Sequence, residues 1–195
     1  MNQTPVNETD RDAFARLEEL ARTVAAGLAA EGRPFDSYPA APPAPAKARG
    51  IFKNRRNPTK TPRAWRLHSL RLSETWISSN EPGTPNRFEQ TDDELWLTIE
   101  GTLTVMSFRY ETHGSQNTLT STTTALNPLT AARYDAKPAW KEQRTVRGTE
   151  HIHETWLEML GKPWYQKPFT SITDMLTNLQ TGTRTPSGIF SRQAH

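Results

Sequence analysis

The sequence contains no cysteine, and this absence removes several kinds of site. A chain without thiols has no disulfide framework, no thiolate nucleophile and no cysteine-based zinc or iron–sulfur site. It also has no apolar run approaching the roughly 18 residues of a membrane span, and its amino terminus lacks the charged start and apolar run of a signal peptide. We therefore expect a soluble cytoplasmic protein with no membrane contact, no cofactor and no bound metal.

Hydrophobic residues are also scarce. They make up 34% of the 195 residues, whereas soluble domains contain about 45–50% when glycine is counted. The length suits one ordinary domain with appendages. Part of the chain is therefore expected to lie outside any packed core.

Acidic residues are absent between Asp36 and Glu74. The rest of the chain has 15 basic and 21 acidic residues, a formal charge of −6, so the high sequence pI of about 9.3 comes from this one stretch. Concentrated positive charge of this kind is typical of a segment that neutralises phosphates or another acidic surface. The predicted nucleic-acid-binding residues are Lys47, Arg49, Lys53, Arg55, Arg56, Lys60, Arg63, Arg66 and Arg71.

Residues 34–63, which we call the basic arm, are rich in proline and show neither helical nor strand periodicity. Proline fixes φ and favours extended geometry in the residue before it, so the arm is predicted to be an extended or disordered linker. Ile51 and Phe52 form an apolar pair within it. Such a pair is suited to docking in a groove or stacking on bases.

Residues 1–33 are predicted to form an amphipathic helix. Thr9 is a suitable N-cap, and Gly32 followed by Pro34 ends the helix. Its apolar residues are spaced three and four apart over two heptads. This stripe would either pack on the body of the same chain or mediate self-association. Its members are Phe14, Leu17, Ala21, Val24 and Leu28.

The body, residues 64–195, is predicted to contain an antiparallel sheet. Leu70, Leu72 and Trp76 alternate with polar residues, as in a half-buried strand. A turn-rich break follows at residues 78–86. The six tryptophans are expected to enlarge a core that aliphatic residues alone would leave thin.

The clearest strand signal is in residues 94–110. Apolar residues alternate there through a short turn containing Gly101, and their parity changes after Val105. A β-bulge, or burial on both faces of the sheet, would explain the change. Residues 118–128 and 144–148 are predicted as two further strands from their β-branched residues.

Two helices are predicted near the carboxyl terminus. One runs from Thr149 to Leu160 with an apolar stripe. The other begins near Ser171, which can cap it together with Asp174, and ends at Gly182. The predicted fold is therefore α+β, an antiparallel sheet covered on one face by short C-terminal helices, with a separate N-terminal helix and an extended basic linker.

The histidines are the candidate metal-binding and catalytic residues. The alternating pair His151 and His153, with Glu158 after it, resembles the ligand pattern of cupin-like metalloproteins. Two imidazoles at this spacing share a side only on a strand, whereas on the predicted helix they point about 200° apart. The sequence therefore predicts no metal site.

A second histidine pattern concerns catalysis. His113-Gly114-Ser115 and His153-Glu154-Thr155 resemble the repeated His-x-Ser/Thr motif of two-histidine phosphoesterases. That resemblance implies an acid and a base on either side of a phosphodiester, and it makes His113 and His153 the catalytic candidates.

Two other short patterns are present. Residues 107–110 place aromatic rings beside an arginine, as an RNA-binding sheet does, but the rest of that motif is missing. Asp92, Asp93 and Glu94 form a carboxylate cluster that is interpreted as a solvated turn.

Three function classes follow from these observations. The first is a non-enzymatic accessory protein that binds nucleic acid or another polyanion through the basic arm. The second is an assembly or protein-interaction factor of the kind encoded by phages or plasmids, whose arm orders against an acidic partner. The third is a small phosphoesterase or metal enzyme built on the histidines. The charge distribution favours the first.

Overall fold

The computed structural model describes residues 8–36, 63–135, 137–160 and 170–183. These residues form three helices and six strands along the chain. In order they are α1 (Glu8–Ala30), β1 (Ala64–Ser79), β2 (Arg87–Thr98), β3 (Leu103–His113), β4 (Gln116–Ala125), α2 (Pro128–Asp135), β5 (Lys137–Arg147), β6 (Glu150–Leu160) and α3 (Thr170–Thr181). None of the helices within these residues is long and apolar enough to cross a bilayer.

The strands form one six-stranded sheet in the order β4-β3-β2-β1-β6-β5. Every pair of neighbours is antiparallel. Most neighbours are joined by short connections, and only the pairing of β1 with β6 joins strands that are distant in sequence. The predicted mixed α+β class with an antiparallel sheet is therefore confirmed.

One face of the sheet packs against the helices, and we call it the covered face. It contributes Trp65, Leu95, Leu97, Leu103 and Val105 to the main core. Burying side chains of this size is the dominant favourable contribution to folding, about 1.5–3 kcal/mol for each. Each helix supplies core residues of its own: Leu17, Ala21, Val24, Ala25 and Leu28 from α1, Ala131 and Tyr134 from α2, and Ile172 and Leu176 from α3.

Helix α1 packs on the body of its own chain. Leu17, Ala21, Val24 and Leu28 are at most 3% exposed and lie in the main core. The helix ends where Gly32 adopts a positive φ of 66°, a conformation that glycine reaches without steric cost. The predicted apolar stripe is thus present. Of its two predicted roles, packing on the body of the same chain and self-association, the structure shows the first. Self-association through these residues has no support in this packing.

Two irregularities in β1 change which side chains face the core. The pairing with β2 shifts between Arg66 and His68 and again between Arg71 and Ser73. An extra residue in one strand reverses the alternation beyond it. Leu70 is therefore buried, whereas Trp76 is 50% exposed and lies on the opposite face. The predicted shared face of Leu70, Leu72 and Trp76 is wrong for this reason.

The opposite face of the sheet, which we call the outer face, has a small cluster of its own. Ala64, Trp96 and Met106 are buried there, with Phe108 packed against them. Strands β2 and β3 pair without a register shift, so the parity change after Val105 reflects burial on both faces. This was one of the two predicted explanations.

The predicted helix from Thr149 to Leu160 is wrong, because these residues form strand β6. Arg147 pairs with Glu150 across a two-residue turn, in which Gly148 has a φ of 62°. β6 pairs with β5 on one side and with β1 on the other. Pairing on both sides outweighs the helical spacing of its apolar residues.

Helix α2 was not predicted, although its start carries a clear signal. The Oδ1 atom of Asn127 accepts hydrogen bonds from the backbone N–H groups of Leu129 and Thr130 at 2.9 and 3.0 Å. The Thr130 hydroxyl accepts one from the Asn127 N–H at 2.9 Å. Asparagine as N-cap followed by proline at the first helical position is a known helix start. The strand predicted over residues 118–128 therefore ends earlier, at Ala125, because α2 begins at Pro128.

The remaining predicted elements are present. Helix α3 covers the expected residues and ends before Gly182, whose φ is 75°. Residues 144–148 fall largely in β5. The tryptophans divide, because Trp65 and Trp96 are buried but Trp76, Trp140 and Trp156 are 38–50% exposed. Trp164 lies outside the described residues.

Candidate functional site

The basic arm leaves and rejoins the fold at one place. The Asp36 backbone N–H donates to the Ala64 carbonyl at 3.0 Å, and the Asp36 carboxylate accepts from the Arg66 backbone N–H at 2.9 Å. On the returning side, the Arg63 carbonyl accepts from the Ile99 N–H at 2.9 Å. Residues 37–62 between these two anchors lie outside the described residues.

An aromatic contact strengthens this junction. The Phe35 ring lies 4.9 Å from that of Trp65, whose side chain is in the main core. The Arg63 guanidinium lies 5.8 Å from the Phe35 ring centroid, within the range of a cation–π interaction. Both ends of the arm are thus fixed to the start of β1 by side chains as well as by backbone hydrogen bonds.

The nine predicted binding residues divide into two groups. The structure describes three of them, Arg63, Arg66 and Arg71, and places them at the end of the arm and along β1. The other six lie outside the described residues: Lys47, Arg49, Lys53, Arg55, Arg56 and Lys60. The apolar pair Ile51 and Phe52 lies outside them too.

Arg66 and Arg71 are engaged with carboxylates on the outer face. Arg66 pairs with Glu94 at 3.1 Å. Arg71 pairs with Glu74 at 3.0 Å and with Asp92 at 3.3 Å. Both arginine side chains are nearly half exposed, at 45% and 44%. Their charges therefore balance the chain's own acidic residues before any partner is bound.

Acidic side chains are paired with arginines across the three middle strands β1, β2 and β3. Every acidic residue of β1, β2 and β3 forms an ion pair with an arginine. The carboxylate cluster at Asp92, Asp93 and Glu94 lies within β2 rather than in the predicted turn, and each of its members has a different arginine. These carboxylates act as partners for basic side chains, not as an acid–base pair.

A row of aromatic rings crosses the outer face. Trp76, Phe88 and Tyr110 lie on β1, β2 and β3, with ring centroids 4.3 and 5.9 Å apart along the row. Polar side chains orient its two ends. The Trp76 indole N–H donates to Glu74 at 2.7 Å, and the Tyr110 hydroxyl donates to Asn117 at 3.2 Å. Phe108 and Tyr110 share this face, while Arg109 between them points to the covered face and pairs with Glu89 and Glu111.

The two catalytic candidates do not come together. His113 pairs with Arg87, in the same row as Ile77, whereas His153 pairs with Trp76. Neighbouring residues of a strand point to opposite faces, so the two imidazoles lie on opposite faces of the sheet. Their strands are separated by β2 and β1, which is about 14 Å of backbone. The structure does not place both around one phosphodiester.

His151 and His153 lie on one side of β6, because the segment is a strand and not the predicted helix. His151 contacts the Asn80 amide at 2.9 Å. The Nε2 atom of His153 is buried without a hydrogen bond and lies 3.5 Å from the Glu142 carboxylate. The two groups are close at this distance, but their geometry does not form a hydrogen bond. Among the described residues no three histidine or acidic side chains are placed to share a metal ion.

A polar cluster is buried under α2 on the covered face. Asp93 is 1% exposed, forms an ion pair with Arg133 and accepts from the Ser107 hydroxyl at 2.7 Å. Burial, and then the Asp93 charge, raise the pKa of Tyr134. Burial also lowers the pKa of His68, whose ring lies 5.9 Å from that of Tyr134. No local sequence pattern predicts this cluster, because its members come from four separate elements.

Comparison with known proteins identifies no relative of this chain. No protein-family model matches it, and no curated protein or solved structure shows significant similarity to it.

Proposed function

We propose that this protein is a non-enzymatic accessory protein that binds nucleic acid or another polyanion through its basic arm. One observation carries the proposal. Residues 37–62 contain six basic and no acidic side chains, and this segment is anchored at both ends to one point of the fold. Both ends of this charged segment therefore meet the body at the same place.

The ion pairs of the sheet support an external partner for the arm. The acidic residues of β1, β2 and β3 already have arginine partners. Placing the arm on this surface would require it to displace those arginines, with no net gain of ion pairs. A polyanion in solution offers charge without such competition, and it releases condensed counterions when basic side chains bind.

The expected binding is strong at low salt and has little sequence preference. Contacts to phosphates fix position but do not read bases. Six contacts would give a slope of about −5 in a plot of log affinity against log salt concentration, or roughly a thousandfold loss between about 50 and about 200 mM salt.

The test uses two variants and one matched control. In the first variant residues 40–62 are deleted, which leaves Ser37 to Pro39 to join ends that are already adjacent. In the second, all six arm cations are replaced by glutamine at unchanged length. The control is Arg109→Gln, which removes a cation from the covered face. Fluorescence anisotropy with single-stranded DNA, duplex DNA, RNA and heparin gives the affinity of each.

Both arm variants are expected to lose binding by at least about a hundredfold and to flatten the salt slope, because the slope counts the contacts. The Arg109 control is expected to retain both. Unchanged affinity after deletion of the arm would refute the proposal.

A second function, protein assembly, is favoured by a separate observation. The outer face exposes large apolar side chains, with Trp76 at 50% and Val146 at 65%. If the protein has this assembly function, the arm becomes ordered when it binds an acidic protein of a larger assembly, such as one of phage or plasmid type. Mass measurement of the full chain and of the arm-deleted chain tests it, since a multimer lost on deletion supports assembly through the arm. Truncation at Ala64 is unsuitable, because it would remove α1 from the core.

A further inference from the structure

The two edge strands of the sheet differ sharply in charge. β5 reads KPAWKEQRTVR, and its many charged side chains and one proline are the devices that keep edge strands from pairing with other chains. β4 reads QNTLTSTTTA and has neither a charged residue nor a proline. Half of its residues are threonine, which favours strand pairing.

The outer edge of β4 is long and regular. All ten of its residues pair with β3, and no register shift interrupts them. Nine of the ten side chains are exposed, and no other strand of the described residues lies beside it. Leu119 in its middle is 51% exposed. Regular, uncharged and exposed edges are templates for pairing with another strand.

The direction of the unpaired backbone groups can be inferred. The Leu126 N–H donates to the Leu103 carbonyl at 2.9 Å, so Leu126 points its backbone groups toward β3. These groups alternate in direction along an antiparallel strand. The N–H and C=O groups of Leu119, Ser121 and Thr123 therefore point away from β3, ready to pair.

We propose that β4 is a dimerisation edge, through which two copies of this chain pair antiparallel to form one continuous sheet. The charge pattern selects a second copy as the occupant. Antiparallel pairing of β4 with a second β4 about Ser121 places Thr118 opposite Thr124, Leu119 opposite Thr123 and Thr120 opposite Thr122. The same pairing of β5 about its central residue would set Glu142 against Glu142, which are like charges. In β4 the opposed residues are mostly threonines, whose cross-strand pairs are favourable.

The geometry of the body permits this pairing. The two-fold axis that relates two antiparallel edges is perpendicular to the sheet. It keeps the helices of both copies on the same face of the joined sheet, so neither core is disturbed. The proposal does not rest on the function of the arm.

The test compares charge added to the two edges. The β4 variant is Leu119→Lys with Thr123→Lys, which introduces lysines on both sides of Ser121. The matched control is Gln143→Lys with Val146→Lys on β5, which adds the same charge to the other edge. Mass is measured by light scattering and analytical ultracentrifugation from about 1 µM to about 1 mM chain, a range that covers weak dimers.

The wild type and the β5 control are expected to reach twice the chain mass of 22.1 kDa, and the chain lacking residues 40–62 is expected to reach twice its own, smaller mass. The β4 variant is expected to dissociate, with a dissociation constant raised about tenfold to a hundredfold by opposed lysines. Amide exchange followed by NMR supplies a measurement that needs no variant. The amides of Leu119, Ser121 and Thr123 are expected to exchange more slowly as the wild-type concentration rises.

Three results would overturn the proposal. The wild type could remain at the chain mass throughout, as it would if the true occupant were a strand of another protein. A dimer could persist in the β4 variant while its circular dichroism matches the wild type. Concentration-dependent protection could appear only outside β4.

Discussion

The covered face and the outer face of the sheet differ in how much apolar surface they bury and in which charged groups they expose. The covered face buries a continuous apolar core together with Asp93, the one buried charged side chain among the described residues. The outer face has one small buried cluster, and beyond it ion pairs and aromatic rings remain partly exposed. Stability therefore resides mainly on the covered face, because most of the buried apolar side chains lie there.

The largest expected effect tests the core. Leu97 is fully buried on the covered face, whereas Leu119 is 51% exposed on the outer face. Leu97→Ala is expected to lower the free energy of unfolding by about 2–5 kcal/mol, because it removes buried apolar area and leaves a cavity. Leu119→Ala is expected to change it by less than about 0.5 kcal/mol. Urea denaturation measures both, and equal losses would remove the distinction between the faces.

The next effect concerns two adjacent carboxylates on opposite faces. Asp93 is 1% exposed and Asp92 is 26% exposed in their ion pairs. Asp93→Ala is expected to cost about 2–3 kcal/mol, less than a fully buried pair because Arg133 remains 40% exposed. Asp92→Ala is expected to cost about 1 kcal/mol or less. Urea denaturation of the two variants would contradict this assignment if Asp92→Ala were the more damaging change.

The smallest effect is a pH dependence on the covered face. Burial lowers the pKa of His68 below its usual value of 6.5, so the unfolded chain binds a proton there more readily than the folded one. His68 therefore contributes stability above pH 6.5 that is lost as the pH falls toward its folded pKa, by at most about 1.4 kcal/mol per pH unit. His68→Gln is expected to make this loss shallower in that window. The check is the free energy of unfolding of the wild type and of His68→Gln, measured across this pH window. Parallel plots of free energy against pH would argue that His68 is not the source of the pH dependence.

Most elements could be predicted where a local signal was unopposed. Helices α1 and α3 have apolar stripes and terminal glycines, although each begins one residue before its predicted N-cap, at Glu8 and not after Thr9, and at Thr170 and not after Ser171. Strands β2 and β3 show strong alternation around Gly101. β6 was misread because its apolar residues also fit a helix, and only its pairing with β1 and β5 decides between the two. The faces of β1 were misread because a bulge leaves no mark in the sequence that simple alternation can detect.

The basic residues of the candidate site could be identified from the sequence, but their positions in the fold and their partners could not. The basic stretch is visible in the sequence, but Arg66 and Arg71 could not be separated from the arm before their partners Glu94, Glu74 and Asp92 were placed beside them. His113 and His153 matched a motif, yet the fold puts them on opposite faces. The buried cluster around Asp93 joins residues from four elements, and no sequence window contains it.

The sequence alone determined the apolar stripes and terminal glycines of α1 and α3, where the proline-rich basic arm begins and ends, and the excess of acidic residues in the chain outside the basic stretch. These properties depend on neighbouring residues and on composition. The tertiary structure decided which strand is an edge, which carboxylates are paired and which histidines meet. Those properties depend on contacts between residues far apart in the chain, and such contacts form only when the sheet assembles.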